Sequence, residues 1–214
     1  MSDTHAKFTP ARQCARGSDP MQSSKFWQAG TYLTLALAMA ATRFGHLGSA
    51  WAPPDASWAV FFAAGFYLTA QRPWVLAALL LEAVVIDFAA IRFYGVSDYC
   101  VTLAYWFIVP AYSVLWLGGA WLRNRYQHRP GDLARLVVSL LASFSVCFLL
   151  TQGSFYWLGG RLSDPTAAGW WLNFTSWYGR FLLVTGSYVG LVAVGHVVVT
   201  RYAPARMAPR VRAR

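Results

Sequence analysis

Three cysteines, four histidines and eight carboxylates supply every strong nucleophile, base and soft ligand in these 214 residues. Cys100 stands apart, because it follows Ser97-Asp98-Tyr99 and opens an apolar run, a place where solvent or ligand can reach a thiol. Used as a nucleophile, such a thiolate needs an adjacent base, and His46 is the one histidine on the same side of the chain's apolar runs. Used as a ligand, it suits a borderline or soft transition metal, including one carried inside a larger molecule. An incidental thiol is the third reading. Cys14 lies in a polar tail, and Cys147, within Ser-Val-Cys-Phe, reads as a small buried hydrophobe. No Cys-x-x-Cys occurs, which argues against disulfide-relay chemistry. Five further charges, Arg43, Glu82, Asp87, Arg92 and Arg180, interrupt apolar stretches. Charges at membrane depth are costly and face a protein interior or a cavity, so each is a candidate site. His5, His128 and His196 read as solvated or interfacial.

Composition says what must position these groups. Apolar residues make up 57% and charged residues 12%, against ~45–50% and ~25% in average usage. That little charge cannot cover the surface of a soluble monomer, so the chain reads as a small, all-α integral membrane protein. Six apolar runs are present: Phe26 to Leu47, Asp55 to Ala70, Pro73 to Tyr94, Val101 to Leu122, Leu133 to Leu158, and Trp170 to Thr200. A span needs roughly 20 apolar residues, so six fill residues 26–200 and leave no separate soluble domain. Asp55 is placed to N-cap the second helix, Pro73 to open the third, and Pro110 to kink the fourth. The second run is short and the sixth is longer than a bilayer requires. Residues 1–25 form a polar tail, expected to be disordered, without the apolar core of a signal peptide, and Met21 is an alternative start to Met1.

The net charge of +10 invites a nucleic-acid reading. Its placement argues against one. Fourteen of the eighteen basic residues fall in the N-terminal tail, the second-to-third turn, the fourth-to-fifth loop with Arg135, and the basic tail 201–214. The excess of lysine and arginine marks the cytoplasmic side, so both termini are expected there. At 1.5 Å per residue, Asp87 lies about 21 Å and His46 about 30 Å from the inner edge. His46, Asp87, Cys100 and Arg180 therefore converge toward the outer face. Asp87–Arg180 is the simplest charge pair, while Arg43 and Arg92 are expected to snorkel to the interface. Glu82 lies about 140° round the helix from Asp87, and is expected to bond within the bundle or to lie near the midplane partnered by an arginine. Trp51, Trp58, Tyr94, Tyr99, Tyr105, Trp157, Trp170, Trp171, Trp177 and Tyr178 crowd the outer half, as an interfacial belt or as walls for a large planar ligand.

The order of these residues resembles a known family. His46, the run Pro54-Asp55-Ala56-Ser57-Trp58-Ala59-Val60-Phe61-Phe62, Gly65-Phe66-Tyr67-Leu68, Ile86-Asp87, Cys100-Val101-Thr102-Leu103-Ala104-Tyr105 and Pro110-Ala111-Tyr112 are similar to the BtuM family of cobalamin transporters. These are small membrane proteins related to the substrate-binding S-components of energy-coupling factor transporters. The resemblance covers roughly residues 26–200. It implies a six-helix S-component-like bundle in the bacterial cytoplasmic membrane that binds cobalamin, or another corrinoid, from outside. It implies Cys100 as an axial ligand to cobalt, with His46, Asp87, Tyr105 and Arg180 around the ligand. A thiolate in that position would displace an upper ligand such as cyanide. It also implies docking on a separate transmembrane and ATPase module through small residues of the first helix, for which Ala36 and Ala40 have the spacing. The chain carries no P-loop of its own.

Other readings compete. A membrane thiol enzyme of the exosortase kind would use Cys100 as nucleophile, His46 as base and Arg180 as oxyanion donor, all within about 3 Å of one reacting atom. An S-component for another vitamin would leave Cys100 incidental. A structural subunit would bind nothing, and substitutions at Asp87 or Cys100 would then change stability alone.

Overall fold

The computed structural model describes the backbone of residues 20–46, 54–68, 73–95, 98 and 101–202, and the side chains of 26–43, 54–68, 74–95, 98 and 101–201. Cys100, Tyr99, Trp51, Cys14 and His5 lie outside the described residues, as does the side chain of His46. Six α-helices follow in order: α1 Pro20–His46, α2 Ser57–Leu68, α3 Pro73–Tyr94, α4 Ile108–Arg125, α5 Gly131–Leu158 and α6 Ala167–Tyr202, with a short 3-10 helix over Leu103–Phe107 leading into α4. Every regular element among the described residues is helical. Four stretches, Trp74–Tyr94, Leu103–Arg125, Gly131–Leu158 and Ala167–Arg201, are long and apolar enough to cross a membrane. This is an all-helical membrane protein. Its outward surface is correspondingly apolar, with Leu33, Leu81, Phe88, Leu172, Leu183 and Leu191 all exposed, as lipid rather than water would require.

The local causes of these helices are readable. Pro73 opens α3, where its fixed φ suits the first turn and its missing N–H has no helical partner to lose. At the head of α6, Thr166 caps: its carbonyl accepts from Trp170 N at 2.9 Å and its hydroxyl from Gly169 N at 3.1 Å. The end of α5 runs into Gly159-Gly160, and Gly160 takes φ +65°, a conformation that only glycine adopts without strain. Serines and threonines inside the helices bond the carbonyl one turn back, as Ser143 does to Ser139 O at 2.8 Å, so they present no bare hydroxyl to an apolar surround.

The centre of the bundle is α2. Eleven of its twelve residues are buried, and a helix apolar all round belongs in an interior. It packs mainly on α4, and α1 and α6 flank it. The α2–α4 contact is backbone against backbone. Gly65 faces the main chain at Trp116, and Gly119 faces the carbonyl of Phe62 and the amide of Phe66. Small residues permit that approach between membrane helices. Around it, Trp58 meets Phe144 and Phe181 at ring-centroid distances of 5.3 Å each, and Phe148 meets Phe174 at 4.9 Å.

Three details differ from the sequence expectation. The fourth run is not one kinked helix. Thr102 caps the 3-10 helix, its hydroxyl accepting from Ala104 N at 3.3 Å, and Pro110 falls in the first turn of α4. There its missing N–H costs nothing, so no kink is needed. Asp55 is not the N-cap of α2, because Val60 N bonds the carbonyl of Ala56; Asp55 sits one residue earlier and accepts from Ser57 N at 2.9 Å. The helices α1 and α6 also start earlier than their apolar runs, at Pro20 and Ala167.

Candidate functional site

Arg43 organises the polar groups at one end of the bundle. It lies near the end of α1 with 8% of its surface exposed, and a buried guanidinium must find partners for its N–H groups. The partners come from three other segments. Nε donates to Asp87 Oδ1 at 2.7 Å and Nη2 to Asp87 Oδ2 at 2.5 Å, a bidentate pair with α3. Nη1 donates to Tyr112 Oη at 3.1 Å, to Ser57 Oγ at 3.1 Å and to Asp55 Oδ2 at 3.3 Å. Asp55 is held in turn by Ser57, whose hydroxyl donates to Oδ1 at 2.5 Å.

The surrounding chain fixes this arrangement. Thr42 Oγ1 accepts from Ala56 N at 3.1 Å, tying the segment before α2 to α1. From α6, Tyr188 Oη donates to the carbonyl of Pro54 at 2.8 Å. Tyr105, on the 3-10 helix, donates to Asp87 Oδ2 at 2.7 Å. Every nitrogen of Arg43 is therefore engaged, and its positive charge serves to hold two carboxylates in place. Of the two carboxylates Asp55 is the more exposed, at 25% of its side chain against 15% for Asp87, and the oxygens of both retain further lone pairs. Changing Tyr105 to Phe should weaken the fold by about 1.5 kcal/mol, the size of a hydrogen bond to a charged group at its low end. Thermal unfolding of purified protein would measure it, and an unaltered midpoint would place the hydroxyl outside the cluster's energetics.

The residues singled out from sequence fare differently. Asp87 and Tyr105 meet. Arg43 does not snorkel to the interface; it is buried and takes the place beside Asp87 that Arg180 was expected to fill. Arg180 is exposed, makes no ion pair among the described residues, and lies with its guanidinium 5.4 Å from the ring centre of Trp177. His46 ends α1 three residues past Arg43, and its side chain is outside the described set, as is all of Cys100. Glu82 does not gain an arginine: its Oε2 is buried and has no hydrogen-bond partner among the described residues. Cys147 is fully buried, as a small hydrophobe would be. The aromatic residues divide, with Trp58 and Tyr178 packed into the core and Trp171 and Trp177 exposed.

Sequence reasoning missed Asp55, Ser57 and Tyr112 as partners of Arg43, and read His196 as solvated or interfacial. His196 is half-buried at the other end of the bundle. One ring nitrogen lies 3.1 Å from Tyr67 Oη and the other 3.1 Å from Tyr126 Oη. These bonds join α6 to α2 and to the α4–α5 loop beside a cavity of about 600 Å3. The one available signal was a tyrosine near the end of each of two apolar runs, Tyr67 in the second and Tyr126 just after the fourth. No family model matches the chain, and no curated protein is significantly similar to it.

Proposed function

We propose that this chain binds a corrinoid, cobalamin being the type, and carries it across the bacterial cytoplasmic membrane. All six helices would lie in the membrane region, with both termini in the cytoplasm and the Arg43 cluster toward the outside. One observation carries the reading. Asp87 and Tyr105, singled out separately by the family resemblance, come from different helices and bond at 2.7 Å, and Tyr105 follows Cys100 by five residues. The thiolate of Cys100 would coordinate cobalt, and His46 and Arg180 would contribute at the periphery of the ligand. Where cobalt arrives with cyanide in its upper position, the thiolate would replace it and cyanide would leave with its electron pair. A flat, wide ligand also suits the aromatic residues of this end.

The test is the visible absorption spectrum of protein purified with cyanocobalamin, wild type beside Cys100→Ala. The wild type should show a shifted cobalt spectrum, and Cys100→Ala should return it to that of the free vitamin. Identical unshifted spectra in both proteins would remove the thiolate from the proposal. A cobalamin-requiring bacterial strain with this chain as its sole importer should grow on limiting vitamin, and failure to grow would remove transport.

A further inference from the structure

The cavity of about 600 Å3 lies between the end of α2, the start of α5 and the last third of α6, at the end of the bundle away from Arg43. We infer that it is a binding site for an anionic phospholipid of the surrounding leaflet, with an acyl chain inside and the phosphate at the rim. The volume falls within the ordinary range for sites of small organic ligands.

Two features of opposite character occur together. The walls are apolar, formed by Phe62 and Phe66 of α2, Leu136 of α5, and Val189 and Val192 of α6. The rim is cationic: Arg129 and Arg201 both line the opening, both are exposed, and neither pairs with a carboxylate among the described residues. Asp132 is the one carboxylate in the lining, and its charge is already matched. It accepts from Gln127 N at 3.0 Å and Arg129 N at 2.9 Å, and from Arg135 Nη1 at 2.7 Å. The rim is thus left with uncompensated positive charge facing whatever occupies it.

A free phosphate would gain from the rim alone and would leave the apolar walls empty. An uncharged lipid would use the walls alone. Only an amphiphile with a negative head answers both, and basic pockets between helices on the cytoplasmic side are where such heads bind. The His196 ring cannot compete for the head, because Tyr67 and Tyr126 occupy both of its nitrogens. Its place is that of a prop, keeping α6 at a fixed distance from α2 so that the cavity stays open.

The experiment uses the full chain purified in mild detergent, with native mass spectrometry as the readout. Phosphatidylglycerol and phosphatidylcholine of identical acyl chains are supplied in turn, then glycerol phosphate as a competitor. One phosphatidylglycerol should be retained, at least tenfold in preference to phosphatidylcholine, and glycerol phosphate should not displace it. The double variant Arg129→Gln/Arg201→Gln, changed only at exposed positions, should bind phosphatidylglycerol about thirtyfold more weakly. Val192→Trp, which narrows the cavity with a larger ring, should retain both lipids more weakly while its circular dichroism and elution volume stay unchanged. Equal retention of both lipids by the wild type, full retention by the arginine double variant, or displacement by glycerol phosphate would each overturn the proposal. Cys100→Ala should bind the lipid as the wild type does, which keeps this result separate from that of the corrinoid spectrum.

Discussion

Replacing Asp87 with alanine should destabilise the protein by about 3–5 kcal/mol, the cost of leaving one member of a buried ion pair without the other. The partners left to Arg43 set that cost. With 8% of its surface exposed, it cannot reach bulk solvent without unwinding the end of α1. Its remaining partners would be Asp55 at 3.3 Å and the hydroxyls of Ser57 and Tyr112, and all of these fall on Nη1. Nε and Nη2 would both be stranded. That is well above the effect expected from Tyr105→Phe, which removes one donor and strands no charge. Removing both charges, with Arg43→Met and Asp87→Leu together, should recover only part of the loss, since an apolar pair can replace the bidentate contact but leaves Asp55 without its cation. Thermal or denaturant unfolding in detergent micelles measures the three variants. Equal destabilisation by the single and double variants would show that the two charges are not coupled.

The second large effect lies at the α2–α4 contact. Gly119→Leu should cost about 3 kcal/mol or more, at the upper end for overpacking, and Gly65→Leu a similar amount. A Cβ at Gly119 would meet the carbonyl of Phe62, and one at Gly65 the main chain at Trp116. Main chain cannot swing aside as the tip of a flexible side chain can, so relief requires moving a whole helix. Because α2 is enclosed by its neighbours, such a shift would propagate to Ser57 at its head and so to Arg43. The control is Gly190 in α6, where an added Cβ meets nothing within 4 Å. Gly190→Ala should be neutral or stabilising by up to about 1 kcal/mol, through helix propensity alone. If Gly119→Leu unfolds at the same temperature as Gly190→Ala, the close helix approach is not a determinant of stability.

These effects mark where the sequence was sufficient and where it was not. The apolar run from Pro73 to Tyr94 predicts α3 to the residue, because a proline start and a long, mainly apolar stretch leave one solution. Asp87 and Tyr105 stand out from the sequence, and they do meet. The partner of Asp87 could not be chosen in the same way. Counting residues along their helices puts Arg43 about 5 Å from Asp87 in height and Arg180 about 6 Å, so depth does not separate them. What separates them is that α3 packs chiefly on α1, and adjacency between helices is set by shape complementarity that no single helix displays. Asp55 was misjudged for a related reason. Its bond to Ser57 N is local and readable, whereas its second bond, to Arg43, joins residues twelve apart across a turn in the chain. The His196 bridge stayed hidden because histidine near a helix end has an ordinary explanation, and its two tyrosines lie 70 and 129 residues away.

The shortness of α2 bears on how the chain is made. Twelve residues rise about 18 Å, well under the ~30 Å hydrocarbon core, so on emerging from the ribosome this segment cannot settle across a bilayer by itself. Its glycine face is complementary to α4, which begins about forty residues later in the chain. At about 5–20 residues per second of synthesis, the segment waits for seconds before its seat exists. During that interval it must thin the surrounding bilayer or stay sheltered by α1 and the insertion machinery. The central helix of the finished protein is thus secured only once α4 has been made, and errors in assembly should accumulate there first.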